Sequence, residues 1–474
     1  MKDDELAYAP AWRVREMVIS KEVSALEMVE LFLRRIEELN PKLSAYLTVA
    51  AEEARAQAVE AQEAVSKGEE PGPLHGVPVS IKDLEFTKGI RSTMGCAVFR
   101  DHVPDEDSVV VERLRRAGAI ILGKTNTPEF GQSGTTENRL GDACRNPWDT
   151  ERTSGGSSGG AGAALAAGLC SLASGSDGGG SIRIPASFCG VFGIKPTQWR
   201  VPRYGSVGRG RAPANIFSQS GPMSRTVRDT AIMLQVLAGH DARDPMSLKG
   251  EVPDFVSALE SGVKALRVGW SPDLGYAPVE PEVAQICSQA ARRFEELGCS
   301  VEEAEVKLEN PFWAWWNIFS SSAYSGYGYL LDDHAGELTP YGRYSLEYGK
   351  HLSAAEYARS LHAVHLVQVT LGELLEKYDL LLTPTMSTVA FPVGQQPEEI
   401  GGRRVPPVLG YITFSFTINM SGQPAASVPC GFSGDGMPVG LHIIGRAGDE
   451  ATVLRASAAF EEAYPWADRR PKIS

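Results

Sequence analysis

Residues 153–185 read TSGGSSGGAGAALAAGLCSLASGSDGGGSIRIP, and the rest of the chain is best read outward from them. Between Arg152 and Asp177 no side chain is charged. Two serines, Ser157 and Ser181, lie in glycine settings, where a ligand can approach closely and backbone amides are free to meet negative charge. An uncharged run of this length raises the possibility of a membrane helix. Its Gly/Ser/Ala content is too weakly apolar for that, and glycine pairs interrupt it. A flexible linker fits GGSSGG alone. It does not fit AGAALAAG, which has helical composition, nor the stiff SIRIPA that follows the second serine.

The chain has 474 residues, 43% of them hydrophobic and 22% charged, enough apolar material for a large core. No break in composition marks a linker, so 1–474 is read as one large domain. A net charge of −13 and a pI near 5.3 argue against nucleic acid or an anionic membrane as partner. The start, MKDDELAYAP, lacks the basic and apolar regions of a signal peptide, so a cytoplasmic location is expected. Seven scattered cysteines with no CxxC or Cys/His cluster imply neither disulfides nor a metal.

Helical and strand patterns alternate. Ser24–Glu27 forms a capping box, and Leu26, Val29, Leu33 and Ile36 repeat at helical spacing up to Asn40–Pro41. Residues 49–66 form a second helix, so the first part of the chain, about 8–66, is expected to be helical. Short apolar runs predict strands at Val77–Ile81, Ala119–Leu122, Leu169–Ala173, Val191–Ile194, 267–270, Asp379–Leu382, Ala426–Val428 and Gly440–Ile444. Helices are expected at about 108–117, 281–297 and 353–377, with an aromatic-rich helical segment opening at 311. Residues 393–407 read as an exposed, mobile loop. The fold class implied is α/β: a single large α/β/α sandwich around a central mixed β-sheet.

Residues 155–159, Gly-Gly-Ser-Ser-Gly, match G-x-S-x-G, which raises an α/β-hydrolase with a Ser-His-Asp triad. That motif needs a strand directly before the serine, and RNPWDTERTS reads as a loop. The histidines after Ser157 lie in ordinary polar or helical surroundings. A phosphate-binding loop fails for want of a lysine after either glycine cluster. A serine at neutral pH could instead give its proton to a lysine whose pKa is lowered by burial. Lys82, ending the apolar run Val77–Ile81, is the candidate, although a lysine at a strand end is ordinarily a solvated cap.

LHGVPVSIKD at 74–83, AIILGKTNTPEFG at 119–131, TSGGSSGGAGAALAAG at 153–168, GSDGGGSIRIPASFCGVFGIKPT at 175–197, FTINMSGQPAASVPCGF at 416–432 and GMPVGLHIIG at 436–445 together resemble the amidase signature family. The resemblance spans most of the chain. It implies a Ser–cis-Ser–Lys triad with Ser181 as nucleophile, Ser157 as the bridging serine after a cis peptide bond, and Lys82 as base. It also implies an oxyanion hole from the amides of Gly178, Gly179, Gly180 and Ser181. Asp177 and Arg183 are expected to pair and hold the nucleophile loop. Ser176 and Ser133 are expected near Lys82. Gly178 stands where many members carry a larger residue.

The implied activity is hydrolysis of linear, apolar or aryl carboxamides through an acyl-enzyme, with ester or carbamate hydrolysis as an extension. No cofactor or metal is expected, and the partner is a small amide; a homodimer is compatible with this reading. The alternative within the family is the glutaminase subunit of an aminoacyl-tRNA amidotransferase. That branch typically carries a carboxylate seven residues before the asparagine of its FTxxxN-like segment, and here the position is Ile412. The segment 311–377, with Trp316, Tyr324 and Tyr327, is expected to contribute an aromatic substrate pocket, although clustered aromatics more often form core.

Overall fold

The computed structural model describes residues 2–206 and 215–473. The strands are β1 (Tyr46–Val49), β2 (Pro78–Lys82), β3 (Ile120–Thr125), β4 (Arg145–Asn146), β5 (Asp149–Thr153), β6 (Leu172–Asp177), β7 (Phe192–Lys195), β8 (Gln219–Ser224), β9 (Arg267–Trp270), β10 (Ser300–Glu303), β11 (Leu380–Pro384), β12 (Glu399–Ile400), β13 (Arg403–Arg404), β14 (Ala425–Phe432) and β15 (Pro438–Gly445). Eleven of them form one sheet in the order β1-β3-β2-β6-β8-β7-β14-β15-β11-β9-β10.

Alternation along the strands gives the sheet two apolar faces. Leu172, Leu380, Leu382, Ala426 and Ile443 pack with the helices Val109–Arg116, Val227–Leu237, Pro281–Glu296 and Glu450–Ala463. Their neighbours in sequence turn the other way. Ala173 joins the helices Ala25–Leu43, Ala51–Lys67 and Gly159–Ala166, while Leu381, Ala425 and Ile444 join Phe312–Tyr327, Ala354–Lys377 and Ser415–Ser421. The mixed α/β architecture with helices on both faces is the one expected.

The pairings place the site. β2 runs parallel to both β3 and β6, so Lys82 and Asp177, the last residues of β2 and β6, emerge at the same edge of the sheet. In open α/β sheets ligands gather at the carboxyl ends of such strands.

Several elements differ from expectation. The first helices are interrupted by β1, which pairs with β3. The Ser24-capped helix runs through Pro41 to Leu43 and ends on Ser44 in the left-handed conformation. β8 was hidden because QSGPMS lacks strand composition; antiparallel pairing with β6 along its whole length imposes the extended form. The stretch before Ser157 is a small β4–β5 hairpin rather than plain loop. Within 393–407 a two-residue pairing of β12 with β13 forms, and Ile400 is buried in the aromatic core.

Candidate active site

Lys82 ends β2 with no exposed surface. Its Nζ lies 2.7 Å from Ser157 Oγ, 2.9 Å from Ser158 Oγ, 3.1 Å from Ser176 Oγ and 3.3 Å from the Ser176 carbonyl. No carboxylate among the described residues pairs with it. Burial lowers its pKa from the ordinary 10.5 to about 7, against the opposing pull of Asp177 and Glu85. A neutral amine has two N–H donors and one lone pair. The surrounding serines can occupy the donors while the Ser157 hydroxyl donates to the lone pair.

Ser157 is reached through a cis peptide bond from Gly156, as the resemblance implied. Ser158 follows it at the head of the helix Gly159–Ala166, every residue of which is buried. At Gly162 this helix packs closely on the helix Arg183–Cys189: a Cβ there would stand 3.0 Å from Pro185 Cβ. The Ser158 N–H donates to the Ser181 carbonyl at 3.1 Å, tying the two serine loops together. Ser157 and Ser181 line one pocket, of about 610 Å³ including its open mouth. Among the described residues no hydrogen bond joins their hydroxyls.

The loop 177–181 is fixed by its carbonyls. The Asp177 carbonyl accepts from Asn419 Nδ2 at 2.8 Å, that of Gly178 from Trp315 Nε1 at 3.0 Å and that of Gly179 from Ser415 Oγ at 2.6 Å. The Gly180 carbonyl accepts from the Ile184 N–H at 2.7 Å. In a planar trans peptide the following N–H points the opposite way. The amides of Gly178, Gly179 and Ser181 are left without a partner among the described residues. That of Gly180 is not: it donates to Asp177 Oδ1 at 2.7 Å. Gly180 is therefore corrected from oxyanion donor to loop anchor. Its φ of +123° also suits glycine, and a Cβ there would collide with Ser415 Oγ.

Asp177 and Arg183 pair as expected, with Nη2–Oδ1 at 2.8 Å and Nε–Oδ2 at 2.9 Å, both fully buried. Burial alone works to raise the Asp177 pKa, but Arg183 and Asn419 hold it below the usual carboxylate range. Arg183 also donates to Asn419 Oδ1, the Ser415 carbonyl and His442 Nε2. Burial first, and then the Arg183 charge, keep His442 neutral. It props the arginine, and no histidine lines the pocket of the two serines among the described residues.

The aromatic segment divides between pocket and core. Phe319, Ala323 and Tyr327, spaced by four, line the pocket, and Phe130 stacks on Tyr327 with ring centroids 3.8 Å apart. Trp316 and Tyr324 do not line it. Trp316 is buried against Phe312, Tyr344 and Tyr348, and Tyr324 meets Gly349 of the helix Pro340–His351. Of the three residues expected in the pocket, only Tyr327 is there. Ser133 bonds to Thr135 rather than Lys82. Ser158, Trp315, Ser415 and Asn419 went unread as site residues; for Ser158 the doubled serine of GGSSGG was the available signal.

A buried lysine thus lies against one serine, with a second serine in the same pocket and open backbone amides beside it. The Amidase family model matches residues 27–454, and the chain belongs to this family, the amidase signature enzymes. The chain is 38% identical to an acylamidase of Rhodococcus erythropolis over 477 residues, covering 100% of this chain and 99% of the relative. It is 41% identical to a glutamyl-tRNA(Gln) amidotransferase subunit of Moorella thermoacetica over 497 residues, covering 99% of each. The crystal structure of a bacterial aryl acylamidase superposes with a TM-score of 0.91 at 32% identity, covering 97% of both chains. The protein is a hydrolase of C–N amide bonds. No helix among the described residues is long and apolar enough to cross a membrane.

Proposed function

We propose that this amidase hydrolyses small apolar or aryl linear carboxamides through an acyl-enzyme on Ser181. The observation that carries this reading is the solvent-free Lys82 amine 2.7 Å from Ser157 Oγ, in a pocket shared with Ser181. Neutral Lys82 takes the Ser157 proton as Ser157 takes that of Ser181, and Ser181 Oγ bonds to the substrate carbonyl carbon. The Ser157–Ser181 hydrogen bond forms when substrate orders the nucleophile, since such contacts tighten in the reactive complex. The amides of Gly178, Gly179 and Ser181 receive the negative oxygen. A single such donor is worth about 3–4 kcal/mol of barrier. The proton returns from Lys82 through Ser157 to the leaving nitrogen, the C–N bond breaks, and water releases the acid by the same relay.

The aromatic stripe of Phe130, Phe319 and Tyr327 supports an aryl or apolar substrate group. The same chemistry extends to esters and carbamates. The second reading, the glutaminase component of an amidotransferase, is favoured by the 41% identity to such a protein. It is opposed by Ile412, buried in the aromatic core where that branch typically has a carboxylate. The test is intact-mass spectrometry after a fluorophosphonate probe, followed by a panel of anilides, aliphatic amides, carbamates and glutamine. One adduct, lost in Ser181→Ala, and turnover of anilides over glutamine are expected. An adduct that persists in Ser181→Ala, or turnover of glutamine alone, overturns the proposal.

A further inference from the structure

The aromatic stripe is only part of the pocket. Glu85, in the turn after β2, and Arg203 also line it, and neither touches the Lys82–Ser157 pair. Glu85 is 1% exposed, and among the described residues its two carboxylate oxygens accept one hydrogen bond each, from Ser220 Oγ and Ser206 Oγ, both at 2.7 Å. Arg203 is 4% exposed; Nη1 donates to the Asn215 carbonyl at 2.6 Å, while its buried Nε has no partner among the described residues. Glu85 and Arg203 form no ion pair with each other.

That Nε is sealed from the pocket, but a guanidinium carries five N–H donors, and among the described residues only Nη1 is engaged besides. The part of Arg203 that lines the pocket therefore has donors to offer an acceptor. A carboxylate oxygen holding one hydrogen bond has room for a second donor. The two opposite charges also limit what can sit there, because an ion drawn to one is repelled by the other. The complement is a neutral group carrying both C=O and N–H. We propose that Glu85 and Arg203 form a selectivity subsite for a second, uncleaved carboxamide or peptide unit of the substrate, its carbonyl accepting from Arg203 and its N–H donating to Glu85. This rests on the amidase reading of Ser181, and it makes the preferred substrate a diamide or acylated amino amide with an apolar middle.

The test compares adipamide with 6-methylheptanamide, in which an isopropyl group replaces one carboxamide at nearly the same shape. The wild-type preference for adipamide in kcat/KM is expected to fall about tenfold in Glu85→Gln and in Arg203→Lys, through KM, since each change weakens a hydrogen bond to a charged group. Any effect of Glu85→Gln on Lys82 is common to both substrates and cancels in the ratio. An equal loss on both substrates, or no wild-type preference, overturns the subsite while leaving the amidase intact. Calorimetry of adipamide with Ser181→Ala gives a readout independent of turnover. Binding that weakens about tenfold when Arg203→Lys is added supports the subsite even if wild-type turnover fails. Unchanged binding overturns it.

Discussion

Lys82 and Ser157 meet at 2.7 Å inside the protein, and among the described residues every hydrogen-bond acceptor around the amine is supplied by a serine and none by a carboxylate. This differs from a structural buried lysine such as Lys124, which lies 3.7 Å from the Asp83 carboxylate in the same fold. An amine left without a counter-ion is driven toward its neutral form, which is the form able to accept a proton.

The first prediction is a pH profile. With the Lys82 pKa near 7, kcat/KM should rise through about pH 7, falling tenfold per unit on the acid side and flattening above. The stability contribution has a definite sign. The unfolded lysine keeps its proton up to its ordinary 10.5, so between about 7 and 10.5 the unfolded state binds more protons and stability from this group rises with pH. Steady-state rates from pH 5 to 9 check the first point; a profile flat through pH 7 would remove Lys82 as the base.

The triad variants should act as a unit. Ser181→Ala, Ser157→Ala and Lys82→Ala are each expected to lower kcat by at least about 10³-fold, and Lys82→Ala with Ser157→Ala by little more than either alone. Single-turnover kinetics on an anilide reads this out. Near-normal turnover in Ser157→Ala would show that Ser181 loses its proton by another route.

Ser158 is expected to tune rather than transmit. Its hydroxyl lies 2.9 Å from Lys82 Nζ and helps to solvate the charged amine. Ser158→Ala should therefore lower the Lys82 pKa and move the acid limb of the rate profile to lower pH, while the acyl-enzyme still forms. An acid limb displaced upward contradicts this arrangement.

The two glycine-set serines and the Asp177–Arg183 pair were legible because they sit in one dense local stretch, whereas Lys82, 75 residues before Ser157, stood out only through the resemblance to the family. Alternating apolar runs likewise marked the central strands. What the sequence hid is set by tertiary contact. β8 is extended because β6 pairs with it, and Gly180 loses its oxyanion role because a carboxylate three residues away turns back onto its amide. Two of the three residues expected in the pocket pack elsewhere. Trp316 and Tyr324 look equivalent to Tyr327 in composition, and only their packing against the helix Pro340–His351 shows that they do not reach the pocket of the serines.

The loop clamps give the last prediction. Asp177 lies fully buried between Arg183 and Asn419 and also accepts the Gly180 N–H. Asp177→Asn leaves the Arg183 charge buried without its counter-ion, a loss of about 3–5 kcal/mol when one partner of such a pair is removed. Gly180→Ala keeps that pair and forces a Cβ into Ser415 at a φ that disfavours any side chain. The two should differ. Asp177→Asn should lower the thermal midpoint sharply, whereas Gly180→Ala should lose fluorophosphonate labelling of Ser181 by much more than it loses stability. Equal labelling rates in Gly180→Ala and wild type would mean that the Gly179–Ser181 turn does not set the position of the nucleophile.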